Sequence, residues 1–396
     1  MAKPQIRIKG FDGEWCKNRL VDTVLLYNGL TYAPSDIREK GTLVLRSSNV
    51  QQDEITLTDN VYVNPSVVNS PFVQKGDIIV VVRNGSRELI GKHAQIKTSL
   101  TNCVIGAFMA GIRGENPEFV NALLSTKSFK DEVTKNLGAT INQITNGTFR
   151  KMEFFFPQQD EQKAIGTYFR SLDALIQAAA NKIDSLKQMK AACLQSMFPQ
   201  PGETAPQVRF KGFTGDWVQA KLGTIFKERN EYDVNAEMLS VTLNQGVIKA
   251  SENGRFDNSN NDKSHYRLVK IGDIAYNSMR MWQGASGCSQ YEGIVSPAYT
   301  VVAPTEGIFS QFFAYLFKTK EMIKTFRLHS QGLTSDTWNL KYPAFSKISV
   351  YYPDSFAEQK KIASFFHEMD NQIRLHEQQL EKLKQIKASC LDKMFV

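Results

Sequence analysis

Two stretches of this 396-residue chain repeat one another, and a repeat fixes architecture before any other property is consulted. Residues 4–15 read PQIRIKGFDGEW and residues 206–217 read PQVRFKGFTGDW, with eight of twelve positions identical. A second block closes each half. Residues 161–198 run from EQKAIGTYF to KQMKAACLQSMF, and residues 358–395 from EQKKIASFF to KQIKASCLDKMF. The offsets are 202 and 197, so a unit of roughly 200 residues is duplicated in tandem, with a constant start, a divergent middle and a constant end.

The closing block has coiled-coil periodicity. Its first copy places Ile165, Phe169, Leu172, Ile176, Ala179, Ile183, Leu186, Lys190, Cys193 and Met197 along one seam. Its second copy places Ile362, Phe366, Met369, Ile373, His376, Leu380, Leu383, Lys387, Cys390 and Met394 there. Steps of 4 and 3 alternate throughout both, which is the signature of a left-handed coiled coil. Neither block contains proline, and about 40 residues at about 1.5 Å each give a rod on the order of 60 Å long. One such helix with a single apolar stripe is marginal in water. The shared register favours pairing the two copies with each other; packing of each on its own domain is the alternative. Lys190 and Lys387 occupy matching seam positions, where their stems can pack while the amines reach solvent, or where they can fix register. Cys193 and Cys390 suit small buried positions.

The segment FPQPGETAP (198–206) breaks the first helix. The boundaries are then 1–157 for a first globular domain, 158–198 for the first helix, 199–353 for a linker and second domain, and 354–396 for the second helix. The middles read as mixed α/β. β-type runs at Asp77–Arg83 and Ser349–Pro353 alternate with Gly/Asn-rich turns. One helix is predicted over Glu118–Asn136 and another over Phe309–Leu328. Each middle has a Gly-Asp-Ile step (Gly76-Asp77-Ile78; Gly272-Asp273-Ile274), a basic polar loop, the helix, a Gly-led loop (from Gly138; from Gly332) and a strand into Pro157 or Pro353.

The chain carries 48 Lys and Arg against 40 Asp and Glu, a net +8. The excess is +4 in residues 1–157 and +3 in 199–353, with +1 and 0 in the two helices. This suits a polyanionic partner for the globular parts. Five scattered cysteines (Cys16, Cys103, Cys193, Cys288, Cys390) without CxxC spacing argue against a disulfide framework or a zinc module and for a reducing cytoplasm. The start MAKPQIRIKG has no apolar core of a signal peptide, and no 18-residue apolar run suggests a membrane span.

Enzyme motifs are near misses. Gly85-SRELI-Gly91-Lys92-His93 has five residues between its glycines, where a P-loop has four, and His in place of Ser/Thr. Asn69-Ser70-Pro71-Phe72 resembles an adenine-N6 methyltransferase signature with Ser at its second position and without a glycine-rich cofactor loop. No GxSxG, HExxH or GxGxxG occurs. The five histidines (His93, His265, His329, His367, His376) form no ligand-spaced pair, so no metal site is expected.

What remains is a set of loop residues suited to base edges, since Arg and Lys pair with guanine and Asn and Gln with adenine in the major groove. In the first domain these are Arg83, Asn84, Ser86, Arg87, Lys92, His93, Asn142, Gln143, Asn146 and Thr148. In the second they are Arg255, Asn258, Lys263, Arg280, Trp282, Gln283, Ser330, Gln331, Thr334, Ser335, Trp338 and Asn339. Any one of them can equally be a solvated loop residue, and Asn146-Gly147 and Asn253-Gly254 are good turn dipeptides.

The helix-opening Pro-x-x-x-Glu-Gln-Lys-x-Ile, the closing Lys-x-x-x-x-Cys-Leu-x-x-Met-Phe, and the opening PQ-hydrophobic-RFKGF-x-G-acidic-W resemble the specificity subunit of type I restriction-modification systems. The resemblance covers essentially the whole chain. One departure is that Pro157 stands four residues before Glu161 whereas Pro353 stands five before Glu358. The resemblance implies two globular target-recognition domains, α+β in class, joined by two long antiparallel coiled-coil helices with pseudo-two-fold symmetry. It implies a non-catalytic subunit whose domains each read one half of a bipartite, asymmetric site in double-stranded DNA, with half-sites about one helical turn apart. Two methyltransferase subunits would bind S-adenosylmethionine and flip target adenines. Two restriction/translocase subunits would use ATP and magnesium, leaving no cofactor on this chain. Aromatics near one rod end (Tyr168, Phe169, Phe365) would serve docking, and the protein would be cytoplasmic, prokaryotic and nucleoid-associated, with no membrane contact. A stand-alone DNA-binding regulator, or a protein-only scaffold of the same architecture, would share the residue pattern.

Overall fold

The computed structural model describes residues 3–137, 142–253 and 262–396. Compactness divides the chain through the long helices: one unit comprises Met1–Ala180 with Gln378–Val396, the other Asn181–Glu377. The long helices are Gln159–Ser196 and Phe356–Met394.

In the first unit the run Ile78–Val81 forms a strand buried on both faces, as a continuous β-branched stretch favours. It lies inside a four-stranded antiparallel sheet ordered Val24–Asn28, Met109–Gly114, Ile78–Val81, His93–Gln95. Alternation sends Ile78, Val80 and Val82 into a core shared with the helices Pro117–Ser125 and Lys127–Asn136. Ile79 and Val81 enter a second core with Leu43, Leu45, Cys103 and Ile105 of another four-stranded sheet. The second unit repeats the central sheet in the order Phe226–Glu228, Tyr299–Pro304, Ile274–Asn277, Ser286–Cys288. Its outer layer is different: the hairpin Leu239–Thr242/Gly246–Lys249 and the pair Arg267–Val269/Gly293–Val295.

Each single helix expected over 118–136 and 309–328 is two helices. In the first unit Pro117–Ser125 ends and Lys127–Asn136 begins at Thr126; in the second Ser310–Leu316 is followed by Lys320–His329, capped by Thr319. Both threonines are extended and do the same two things. Thr126 Oγ1 accepts from Phe129 N at 3.2 Å and donates to Leu123 O at 2.6 Å. Thr319 Oγ1 accepts from Met322 N at 3.3 Å and donates to Leu316 O at 2.8 Å. One side chain thus serves an N-cap and a preceding C-terminus together, which makes the break affordable inside an apolar-periodic run.

The repeated blocks meet in one joint, built the same way inside each unit. In the first, Arg7 donates Nε and Nη2 to the Glu161 carboxylate at 2.7 and 2.6 Å, and Ile6 N donates to Lys393 O at 2.9 Å. In the second, Arg209 clasps Glu358 at 2.6 and 2.7 Å, and Val208 N donates to Ser196 O at 2.9 Å. Glu161 and Glu358 are buried, and the charge-assisted pair holds each guanidinium above its ordinary pKa. Gln162 and Gln359 each donate to the carbonyl of the preceding proline, Pro157 or Pro353, at 2.9 Å, so the one-residue slip is taken up in the loop. Phe395 packs on Trp15, Phe119 and Phe169; Phe198 packs on Trp217, Phe312 and Phe366.

The seam residues Ile165, Phe169, Leu172, Ile183, Leu186, Ile362, Phe366, Met369 and Ile373 are buried, while Ile176, Leu380 and Leu383 are half-buried. Within each unit the helix segments run antiparallel. In the first, Tyr168 Oη lies 3.2 Å from Cys390 Sγ and Asp173 pairs with Lys387 at 2.7 Å. In the second, Lys187 pairs with Glu377 at 2.7 Å and Lys190 with Asp370. The two seam lysines therefore reach across to Asp173 and Asp370, which are themselves matched in the repeat. Phe169 is buried in the first core, and Phe365 is half-buried against Phe210 and Phe366, so neither is the free docking aromatic expected; Tyr168 is the exposed one. Gly166 sits where a Cβ would come within 2.7 Å of Phe119 N, a close approach of the long helix to Pro117–Ser125.

Candidate nucleic-acid interface

The central sheets superpose their edges by identical backbone bonds. Val82 N donates to Phe108 O at 2.9 Å and Ile144 N to Val82 O at 2.8 Å. In the second unit Ser278 N donates to Ala298 O at 3.2 Å and Leu340 N to Ser278 O at 2.8 Å. Positions 83, 108, 142 and 143 therefore correspond to 279, 298, 338 and 339. One frame carries Arg83, Phe108, Asn142 and Gln143; the other carries Met279, Ala298, Trp338 and Asn339.

Hydrogen bonding sorts the expected residues of the first unit into builders and free groups. Asn84 donates to Ser47 Oγ at 3.2 Å and accepts from Ser86 N at 3.0 Å. Asn142 donates to Gly85 O at 3.0 Å, Asn146 donates to Asn28 Oδ1 at 2.6 Å, and Thr148 N is bound by Thr145 Oγ1 at 3.1 Å. These side chains shape the loops. Arg83, Ser86, Arg87, Lys92 and Gln143 make no side-chain hydrogen bond or ion pair among the described residues, and Arg83, Ser86 and Arg87 are exposed. His93 belongs to neither group. It is 5% exposed, with Nδ1 3.0 Å from Gly91 O and Nε2 3.1 Å from Ser125 Oγ. It sits on a strand that turns its side chain into the helix layer, so it is a core residue and not a base contact. Burial, with Lys387 adding to it, pushes its pKa down.

In the second unit Trp282 Nε1 donates to Met279 O at 3.0 Å, and its ring meets Trp338 edge-on at 5.2 Å. Ser330 Oγ donates to Phe326 O at 2.7 Å, and Thr334 N is held by Thr337 Oγ1 at 3.1 Å. Gln331 and Asn339 pair through their backbones at 3.0 and 2.8 Å. Lys263, Arg280, Gln283 and Ser335 carry no side-chain bond among the described residues, and Arg280, Gln283 and Ser335 are exposed. Arg255 and Asn258 lie outside the described residues.

Two further contacts involve Phe108 and Arg327, which no sequence motif marks. The Arg83 guanidinium lies 5.0 Å from the centroid of Phe108, and that of Arg327 lies 5.1 Å from Trp338. Scaffold arginines are consumed instead: Arg113 and Arg229 clasp Asp77 and Asp273, and Arg267 holds Glu228. Arg83, Arg87, Arg280 and Arg327 are among the exposed basic side chains that have no such carboxylate partner among the described residues. The Gly85–His93 stretch does not fit a nucleotide, because a short turn at Arg87–Leu89 leads into the strand His93–Gln95 and not into a helix N-terminus. No helix among the described residues is long and apolar enough to cross a membrane.

One backbone frame used twice, with different free side chains on each copy, defines a two-headed recognition scaffold. The chain belongs to the type I restriction modification DNA specificity domain family, whose model matches residues 13–188 and again 214–385. It is 23% identical over 184 residues to the type I restriction enzyme StySPI specificity subunit of Salmonella potsdam, covering 44% of this chain and 40% of that protein. It is 24% identical over 173 residues to the EcoKI specificity subunit of Escherichia coli (strain K12), covering 41% of this chain and 37% of that one. The match thus spans about two fifths of the length of these curated relatives. The crystal structure of the type I restriction-modification S subunit from M. genitalium shares the fold, with a TM-score of 0.64 at 16% identity over 100% of this chain and 99% of that one.

Proposed function

We propose that this chain is the DNA sequence-recognition subunit of a type I restriction-modification complex, each unit reading one half of a bipartite, asymmetric target. The carrying observation is the pair of corresponding edges with unlike side chains: Arg83, Phe108, Asn142 and Gln143 against Met279, Ala298, Trp338 and Asn339. Identical edges would read a palindrome; unlike ones read two different half-sites. The chain directs and does not catalyse. Two methyltransferase subunits hold S-adenosylmethionine and methylate adenine N6, and two restriction/translocase subunits supply ATP- and magnesium-dependent cleavage of unmethylated DNA. The assembly acts in the prokaryotic cytoplasm on nucleoid DNA. Single-molecule methylation mapping in cells expressing this chain with a cognate methyltransferase subunit, against that subunit alone, tests the reading. A new split motif carrying N6-methyladenine on both strands is expected. A soluble complex that adds no motif would overturn it.

A further inference from the structure

The arginines divide by what their donors do. Arg113 lies 5.2 Å over Tyr27, yet its Nε and Nη2 are spent on Asp77, so stacking alone marks nothing. Arg83 and Arg327 are stacked and unspent: neither has a carboxylate or side-chain hydrogen-bond partner among the described residues, and both are exposed. Their supports are tied to the backbone or to a neighbouring ring. Arg83 N and Val82 N both bond Phe108 O, at 3.2 and 2.9 Å, and the Arg83 backbone bridges to Gln143. Trp338 is braced by Trp282, whose own indole N–H is tied to Met279 O.

A phosphate contact asks only for charge near a strand, and lysine serves as well. A guanidinium held against an aromatic face has lost much of its rotamer freedom before binding, and what it presents is a planar fork. That fork matches the O6 and N7 acceptors that guanine shows in the major groove. From this we infer that Arg83 backed by Phe108, and Arg327 backed by Trp338, each read one guanine, with the two aromatics as positioning residues. The inference rests on the proposed DNA-reading role. Because Arg83 follows the end of the interior strand Ile78–Val81 and Arg327 lies on the helix Lys320–His329, the two guanines fall at different places in their half-sites.

The test uses the chain co-expressed with its methyltransferase subunit. Methylation mapping first gives the wild-type motif. In R83A one guanine of one half-site becomes degenerate while the other half-site is unchanged, and R327A does the converse. With purified complex, competition between duplexes differing at that base pair falls from roughly tenfold to hundredfold discrimination to near parity. F108A and W338A relax the same positions, and F108Y and W338F restore them with an unaltered melting temperature. R83K, which keeps charge without the fork, covers the case in which R83A assembles poorly, and it too should lose the guanine. A motif unchanged in these variants overturns the inference and leaves the DNA-reading role standing. So does an equal weakening on every duplex with a shallower salt slope, which marks phosphate contacts. Absence of any split motif with the wild type defeats the role itself, and this inference with it.

Discussion

The joint at the root of each unit and the edge that faces outward are made under opposite pressures. At the joint, Arg7–Glu161 and Arg209–Glu358 are the same clasp with distances matching to 0.1 Å, and Phe395 and Phe198 fill the same aromatic nest. At the edge, the backbone bonds recur while nearly every side chain differs. A buried charge tolerates one solution, because either partner alone is left desolvated and unpaired. An exposed edge held by main-chain bonds tolerates many. Sequence identity therefore reports the joint, and sequence difference marks the edge proposed to read DNA.

The sharpest way to break this contrast is to break a clasp. Arg209→Ala strands a buried Glu358 and should destabilise the second unit by about 3–5 kcal/mol, and Arg7→Ala should do the same to the first. Urea unfolding of the complex reads this, and a loss under 1 kcal/mol in either would show the clasps to be ornamental. Next comes Gly166, whose counterpart is the buried Ala363. Gly166→Ala presses a methyl on Phe119 N and should cost about 1–3 kcal/mol, whereas the second copy already accommodates the methyl.

His93 gives a difference in pH response. Its folded pKa is depressed, so the native ring is neutral while the unfolded ring takes a proton below about 6.5. Stability should fall as pH drops through that value, and His93→Gln should remove this component while the slope from other groups persists. The smallest effect is expected at the seam. Lys387→Met and Lys190→Met break partly exposed pairs worth about 0–1 kcal/mol each, and a double-mutant cycle with Asp173 or Asp370 isolates the coupling. The recognition variants R83A and R280A should leave melting unchanged and damage one half-site each.

The long helices were legible from their 3.5-residue period, and the central strand from Asp77–Arg83, because periodicity and β-branching report burial directly. The breaks at Thr126 and Thr319 were not: no Gly or Pro punctuates either run, and a threonine capping one helix while closing another looks like a mid-helix threonine. The clasps were half legible, since both partners lie in the quoted repeats while their pairing is tertiary. At the candidate interface, residue type alone grouped turn-building Asn84, Asn142 and Asn146 with the free Arg83. It also admitted His93, whose strand position hides it. Phe108 and Arg327 carry no local signal, because each matters through a ring or guanidinium contributed from elsewhere in the chain.

Each unit's composition also has a consequence for synthesis. Asn181–Glu377 is one unbroken stretch, whereas the unit begun by the first 180 residues is completed only by Gln378–Val396. On a ribosome the second head has all its strands and both its helix segments before the first has Phe395 to set beneath Trp15. The domain made first is thus the last finished. Its apolar nest stays open for the length of one whole further domain, a long-range closure of the kind that slows folding and invites holding by chaperones.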